Sequence, residues 1–496
     1  MACVKPMVYV KSASMAAWGN GFQQPRPPQR GFPPQFSLFF YTDLSMSYAA
    51  AIDQLNAMVP ELYTSSGQPR RKFSLDEIRI LLDALGNPHR RFPSVLIAGT
   101  NGKGSTAATL ASILAASGLR TGLYTSPHLA RVNERIRLDR VEIADAAFAA
   151  LYFRVHDAAQ QLVLDGQLPQ LPSFFEILTA QAFLYFAEAE IEIAVLEVGM
   201  GGRLDATNIV DPLLSVITDI SLDHTEWLGS TIAAITREKA GILRPGRTMI
   251  TLPQHPQANQ ALGEAAAELD VCGVSAVPYM PPLGASTASS YSVDALGAFI
   301  EVDSPLAGAH QHRNLALAIA TAVELATHHG FPITPAAIAD GIRQTRWPAR
   351  LERIQRSGVD WILDVAHNPA GAWALRAAIS AFLGEHPRTL IFSCLRDKPV
   401  AEMAQILFPL FDQVILAPIH TARAAALDDL LAAAQTTGTP AVAAASVADA
   451  LQIALRRVGL QPEAGVIVIS GSVYLVGEAR TLLLDDKSLI YNWLRS

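Results

Sequence analysis

Residues 95–106 read Val95-Leu96-Ile97-Ala98-Gly99-Thr100-Asn101-Gly102-Lys103-Gly104-Ser105-Thr106. The apolar start predicts a buried strand, and the small residues at 107–116 predict a helix directly after the glycines. In such a unit the glycines let backbone N–H groups approach a polyphosphate, the helix amino end adds a positive dipole, and Lys103 can reach the outer phosphates. The strict Walker order is not met, because Gly104 separates Lys103 from Ser105. The stretch still predicts a nucleotide-phosphate site rather than an ordinary glycine-rich turn.

The composition is typical of a compact α/β enzyme. Half of the 496 residues are hydrophobic, and the formal charge of −7 argues against a nucleic-acid-binding protein. Three scattered cysteines, Cys3, Cys272 and Cys394, form neither a disulfide framework nor a zinc pattern, which indicates a reducing compartment. We find no apolar run that could span a bilayer and no signal-peptide pattern. We therefore expect a cytoplasmic protein, acting as a monomer, with no membrane partner.

Strand and helix patterns alternate along most of the chain, which predicts a mainly parallel sheet with helices on both faces. Predicted strands lie at 94–98, 121–125, 192–198, 213–218, 247–252, 360–365, 389–395, 413–417 and 465–470. Predicted helices lie at 48–62, 73–85, 104–117, 145–164, 174–189, 230–240, 313–329, 335–345, 370–383, 399–408, 426–435, 447–457 and 473–484, and 270–305 reads as β-rich. The chain is too long for one ordinary core. We predict a disordered proline-rich tail at 1–45, a P-loop domain at 46–345, a hinge at 346–352 and a smaller Rossmann-like α/β domain at 353–496.

Polar clusters recur at the predicted strand ends, where ligands bind in open α/β sheets. They are Tyr124–His128, Glu197–Asn208, Ser221–Trp227 and Asp364–Pro369. The last cluster belongs to the predicted second domain and could bind the ribose or adenine of a nucleotide across a cleft between the two domains. A further charged cluster, Arg237–Ile242, reads on helical geometry alone as a solvated turn closed by a Gly241 cap.

Glu197 stands out because it ends a strongly apolar predicted strand. A buried carboxylate is costly unless a cation or a metal pairs with it. Next to a bound triphosphate, Mg²⁺ is the natural partner because it takes carboxylate, hydroxyl and phosphate oxygens. A buried salt bridge is the alternative. His224, also at a predicted strand end, is a second candidate metal ligand.

Taken together, the motifs resemble the folylpolyglutamate synthase / dihydrofolate synthase family of the Mur-ligase superfamily, from about residue 47 to the C-terminus. The resemblance is carried by 99–105, Thr125–Leu129 with Asn133–Arg135, Glu197–Asn208, Leu222–His224, Arg237–Gly241, Trp347–Arg350 and Asp364–Pro369. It implies a ligase in which a substrate carboxylate attacks the γ-phosphate of ATP and the amine of L-glutamate then captures the acyl phosphate. Positive charge must neutralise the phosphates in the first step.

The resemblance also implies roles for individual residues. The ATP phosphates would lie on Thr100, Asn101, Gly102, Lys103, Gly104 and Ser105, with Asn314, Arg350, Asp364 and His367 holding the rest of the nucleotide. Mg²⁺ ions would be held by Ser126, Glu197 and His224, with Ser105 nearby. Lys239 resembles the lysine that is carbamylated in this family, and that similarity opposes the solvated-turn interpretation. Lys103, Lys239 and His224 are the implied catalytic residues.

The pterin substrate would lie near Ser173, Phe174, Phe175, Glu176, Leu204, Asp205 and Ala206. Aromatic rings can stack on a flat pterin, and a carboxylate can accept its ring N–H donors. The segment Gly202–Asn208 resembles the bifunctional members, which add glutamate to dihydropteroate and extend tetrahydrofolate tails; activity on tails alone stays open. Bifunctional relatives often carry an Asp-Leu-Gly-Leu-Glu-Arg-like segment before the phosphate loop. Residues 71–76 depart from it.

The sequence is also compatible with three other kinds of protein, each with a feature that separates it from the ligase. A cell-wall Mur ligase would usually carry a whole domain before the phosphate loop. A nicotinamide-dependent oxidoreductase, suggested by the glycines at 199–202, lacks the acidic residue expected roughly 20 positions on and leaves Lys103 unexplained. A nucleotide-binding switch would hydrolyse ATP whether or not an acid and glutamate were present.

Overall fold

The computed structural model describes residues 47–58, 74–282, 290–382, 388–459 and 465–485. The predicted tail at 1–45, the last residues of the first predicted helix and Arg71–Phe73 lie outside these ranges. Two sheets organise the described chain, each covered by helices, as predicted for an α/β protein with a larger and a smaller sheet domain.

The first sheet has eight strands in the order β4-β3-β2-β5-β1-β6-β7-β8. They are β1 Ser94–Ala98, β2 Thr121–Tyr124, β3 Ile136–Leu138, β4 Val141–Glu142, β5 Ile193–Glu197, β6 Leu214–Ile217, β7 Thr248–Thr251 and β8 Cys272–Ser275. In the part of the sheet with the order β2-β5-β1-β6-β7-β8, all neighbouring strands pair in parallel. Strands β3 and β4 add an antiparallel edge beside β2. The central β1, β5 and β6 are buried along their whole length, which fits their largely apolar sequences.

Ten helices in the described residues accompany this sheet. They are α1 Tyr48–Ala57, α2 Asp76–Ala84, α3 Lys103–Ala116, α4 Asp145–Leu164, α5 Phe174–Glu188, α6 Thr225–Leu228, α7 Ile232–Ala240, α8 Pro256–Glu268, α9 His310–His329 and α10 Pro335–Arg343. A separate antiparallel pair, β9 Ser290–Ala295 and β10 Ala298–Asp303, packs on α10. None of the helices in the described ranges has the length and apolarity needed to cross a membrane.

The second sheet has six strands in the order β11-β12-β16-β13-β14-β15. They are β11 Glu352–Arg356, β12 Val359–Leu363, β13 Arg388–Phe392, β14 Gln413–Leu416, β15 Ala441–Ala443 and β16 Val466–Ser470. Its helices are α11 Pro369–Phe382, α12 Val400–Leu407, α13 Leu427–Thr437, α14 Val447–Gly459 and α15 Val473–Leu484. All strand pairs are parallel except β11 with β12. This arrangement confirms the Rossmann-like second domain.

The sequence patterns missed the edges of the architecture. Strands β3, β4, β11 and β15 and helices α6 and α8 were not predicted, and β11 begins at Glu352, inside the predicted hinge. The missed strands are short or lie at sheet edges, and β11 reads Glu-Arg-Ile-Gln-Arg with no fully buried residue. Backbone pairing rather than an apolar pattern therefore defines these edges.

Helix α3 begins at the phosphate loop and is buried in the core. Every residue from Gly104 to Leu114 is buried, and the small side chains allow α10 to approach closely. A Cβ added at Gly341 of α10 would lie 2.3 Å from Cα of Ile113. Contact of two helix backbones thus fixes α3, and with it the start of the helix at Lys103.

We expect Gly341→Ala to lower stability by about 1 to 3 kcal/mol, because its methyl group would overlap backbone that cannot move aside. Gly263→Ala in α8 is the matched control: the added Cβ meets nothing within 4 Å. In an exposed helix that change raises stability by up to about 1 kcal/mol. Thermal unfolding midpoints of both variants test the pair, and similar midpoints would contradict the close-contact argument.

Candidate active site between the two domains

Two glycines give the phosphate loop its shape. A Cβ at Gly99 would lie 1.8 Å from Oγ1 of Thr218, on the neighbouring strand end. Gly102 has a φ of 91°, and a Cβ there would lie 2.1 Å from Oδ1 of Asn314. The loop is therefore pressed between β6 and α9, and Asn314 contacts the turn directly. These contacts leave room only for glycine at both positions.

Two lysine side chains converge on this loop. Nζ of Lys103 donates to the carbonyl oxygens of Gly99 and Thr100 at 3.0 and 3.1 Å, and Nζ of Lys239 donates to Gly99 O at 2.8 Å. Burial, reinforced by the charge of Lys103, lowers the pKa of Lys239 to about 7. The loop is thus surrounded by positive charge in the place where phosphates would lie.

The interpretation of Arg237–Ile242 as a solvated turn was wrong. Lys239 is buried, and Gly241 has a right-handed φ of −61° instead of a left-handed cap conformation. The cause is tertiary packing: a Cβ at Gly202 would lie 3.0 Å from Cα of Lys239, so the glycine loop after β5 covers the end of α7. No helical pattern contains that information.

Glu197 lies at the end of β5 beside the phosphate loop. Its carboxylate accepts the N–H of Ser126 at 3.1 Å, and burial raises its pKa, although Lys103 acts in the opposite direction. Ser105, Ser126 and His224 line the same cavity of about 540 Å³. Burial lowers the pKa of His224 to about 4, so its imidazole is neutral and able to bind a metal.

The side chains around Glu197 can hold a Mg²⁺ ion that also binds phosphate oxygens. The described residues contain no group of three His, Cys, Asp or Glu side chains arranged around one ion. Mg²⁺ in nucleotide sites needs no such cage, since one or two carboxylates, phosphate oxygens and water complete its shell. Glu197 is a buried carboxylate with one backbone hydrogen bond among the described residues, which matches that requirement.

The segment before β11 and the second domain both contribute side chains to the cavity. Arg350, Asp364 and His367 all line it. The Asp364 carboxylate accepts the N–H groups of Leu351 at 3.0 Å and Ala366 at 2.9 Å, so it also fixes the hinge backbone. Nδ1 of His367 lies 2.8 Å from Val365 O, and burial lowers its pKa.

A polar contact between the domains was missed by the sequence patterns. Nζ of Lys398 lies 2.5 Å from Oδ1 of Asp223, and both side chains are almost fully buried. Nδ2 of Asn368 donates to Oδ1 of Asn101 at 3.0 Å and to Oδ2 of Asp223 at 3.1 Å. Burial alone would raise the pKa of Asp223, but the charge of Lys398 and its hydrogen bond to the carboxylate help to lower it. The one available signal was the position of Lys398 shortly after strand β13.

A second cavity of about 520 Å³ adjoins the first. The residues that line both are Ser126, Pro127, Gly199, Met200, His224, Arg350, Val365 and His367. Phe174 and Phe175 contribute aromatic surface, and Arg135, Arg137 and Arg423 contribute positive charge. The second cavity therefore suits a flat ring system with an anionic end.

The other predicted pterin residues are placed differently. Leu204, Asp205 and Ala206 line a smaller recess next to Phe175. Asp205 accepts Met200 N–H at 2.9 Å and the Thr207 hydroxyl at 2.6 Å, so its carboxylate organises the glycine loop.

Ser173 and Glu176 form a capping box at the start of α5. In the described residues, neither is among those that line the two cavities or the recess.

Lys239 should make stability depend on pH. Its pKa of about 7 is below the value of 10.5 for a free lysine, so the unfolded chain binds more protons between these values. Stability from this group is therefore lost as pH falls towards 7 and restored as pH rises. We expect the thermal midpoint of the wild type, relative to Lys239→Met, to increase from about pH 6 to about pH 9 in CO₂-free buffer. Parallel profiles would contradict the burial of a neutral amine.

Comparisons with known proteins agree with this geometry. Residues 97–322 match the Mur ligase middle domain, and residues 349–473 match the Mur ligase glutamate ligase domain. A folylpolyglutamate synthase from Lacticaseibacillus casei is 37% identical over 85% of this chain and 97% of its own length. A dihydrofolate synthase/folylpolyglutamate synthase from Mycobacterium tuberculosis is 36% identical over 83% of this chain and 90% of its own.

A solved structure, Escherichia coli FolC in complex with DHPP and ADP, superimposes with a TM-score of 0.71 at 27% identity, covering 91% of this chain and 99% of the other. The fold, the phosphate loop and the sequence similarity agree over most of the chain. This protein therefore belongs to the folylpolyglutamate synthase / dihydrofolate synthase family and is an ATP-dependent folate–glutamate ligase.

Proposed function

We propose that this enzyme joins L-glutamate both to dihydropteroate and to the glutamate tail of tetrahydrofolate, through an acyl-phosphate intermediate. The adjoining cavities carry the proposal. One is lined by the phosphate loop and the other by aromatic and cationic side chains, and they share a wall at Ser126, Arg350 and His367.

The charges in the cavity suit the first chemical step. A carboxylate and a triphosphate repel each other, so their approach needs preorganised positive charge in a water-poor site. Lys103 can leave its loop carbonyls to hold the γ-phosphate, while the backbone of Thr100–Gly104 holds the inner phosphates. Mg²⁺, bound by Glu197 with Ser105, Ser126 and His224, would supply further charge neutralisation. Asn314, Arg350, Asp364 and His367 would position the nucleotide.

Lys239 has the properties required for carbamylation. Only a neutral amine attacks CO₂, and a pKa of about 7 makes a large share of this buried amine neutral at physiological pH. The product is a carbamate anion, which replaces a destabilised cation beside Lys103 with a favourable negative charge. We propose that the carbamate then supports the metal and phosphate site.

Activity on both acids is supported by the recess around Asp205. The segment Gly202–Asn208 resembles the bifunctional members, and one relative has both activities in its name. Phe174 and Phe175 offer ring contacts for the pterin. Because Asp205 holds the loop of Met200, we infer that it acts by shaping the pterin recess. Ser173 and Glu176 would contribute by fixing the start of α5 under the two phenylalanines.

An assay of phosphate release tests the proposed function. With ATP and Mg²⁺, release should require both L-glutamate and a folate-type acid, and both dihydropteroate and tetrahydrofolate should serve as the acid. Lys103→Ala should lower either rate by at least about a hundredfold, because it removes charge from the γ-phosphate. Arg154→Ala, a surface cation paired with Glu188, is the control. Hydrolysis without acid and glutamate would indicate a nucleotide switch.

Replacement of Glu197 tests the metal assignment. Glu197→Gln should raise the Mg²⁺ concentration for half-maximal activity by at least about tenfold. The thermal midpoint should not fall, because burial already disfavours the charged carboxylate. Glu264→Gln at the surface gives the matched change away from the cavity. An unchanged Mg²⁺ requirement in Glu197→Gln would refute the assignment.

A further inference from the structure

His128 lines the second cavity. It belongs to the loop that follows β2, two residues after Ser126, which donates its N–H to Glu197 in the first cavity. The same short loop therefore borders the nucleotide cavity at one end and the second cavity at the other.

The hydrogen bond from Arg135 determines which ring nitrogen of His128 carries the proton. Nε of Arg135 donates to Nδ1 of His128 at 2.9 Å. A guanidinium nitrogen only donates, so Nδ1 must be the unprotonated nitrogen and the single proton must lie on Nε2. A ring that accepts at Nδ1 is neutral, so this hydrogen bond also fixes the charge of His128.

The surroundings of His128 are rigid. The Glu134 carboxylate accepts the N–H groups of Leu129 and Ala130 at 2.7 and 2.8 Å. A Cβ at Gly477 of α15 would lie 1.9 Å from Leu129 O, so the second domain packs directly on the loop. The Arg135 guanidinium also lies 5.2 Å from the centre of the Phe174 ring, on the same cavity wall. His128 is thus held in one orientation before any substrate enters.

We propose that His128 donates its Nε2–H to a carbonyl or carboxylate oxygen of the folate-type acid and so selects and orients that substrate. The proposal rests on the proposed function and adds a specificity residue to it. Among the described residues no acceptor is bonded to Nε2, and the ring is partly exposed in the cavity. Arg135 acts through His128 as a positioning residue.

Kinetics of three variants test the role of His128. His128→Phe should raise KM for the acid about tenfold, with KM for ATP and kcat changed little, because one donor to the substrate is lost. His128→Gln should restore much of the loss, since its amide can accept from Arg135 and donate to the substrate. His156→Phe makes the same change outside the cavity and should behave as wild type.

Nuclear magnetic resonance of the ¹⁵N-histidine-labelled full chain tests the proton position directly. The His128 signals, identified by their loss in His128→Phe, should show a protonated Nε2, and Arg135→Met should give a mixture of tautomers. A protonated Nδ1 in the wild type, or an unchanged KM for the acid in His128→Phe, would overturn this role while leaving the ligase function intact. Absence of product from the wild type with every folate-type acid would instead overturn the proposed function.

Discussion

The carbonyl oxygen of Gly99 accepts hydrogen bonds from two lysine side chains, and the rest of the site depends on this concentration of positive charge. Lys103 starts α3 and Lys239 lies in the last turn of α7, so two helices from different parts of the sequence must meet at one loop. Like charges in a buried place are costly unless anions join them. The fold therefore concentrates positive charge at this loop, and nucleotide phosphates, or a carbamate on Lys239, would offset it.

The second domain completes the site through polar contacts with the same loop. Asn368 bonds to Asn101 of the phosphate loop and to Asp223, and Asp223 also pairs with Lys398. These groups are polar and need partners when buried, which makes the contact sensitive to the relative position of the domains. A phosphate bound at Asn101 would therefore act on the second domain through these polar contacts.

Much of the architecture could be predicted because buried parallel strands have largely apolar sequences. Strands such as β1, β5 and β6 were predicted to within a residue or two, and so was the helix after the phosphate loop. The polar edge strand β11 could not be recognised, since its exposure leaves no apolar pattern.

The candidate site likewise has a part that the sequence predicts and a part that it does not. The residues of 99–105 and Glu197 follow from local order, because a loop and the strand end beside it share one edge of the sheet. The burial of Lys239 depends on Gly202, and the pairing of Asp223 with Lys398 joins positions 175 residues apart. Neither has a local sequence signal.

The shared wall of the two cavities constrains the chemistry further. An acid in the aromatic cavity and a triphosphate on the phosphate loop can meet only where Ser126, Arg350 and His367 line both spaces. Arg350 lies on that shared wall, and the charges of Lys103 and Arg350 also act on the nearby buried carboxylate of Glu197, so positive charge is present where two anions must approach each other. The reacting groups are thus positioned by two separate binding surfaces, and neither surface alone would bring them together.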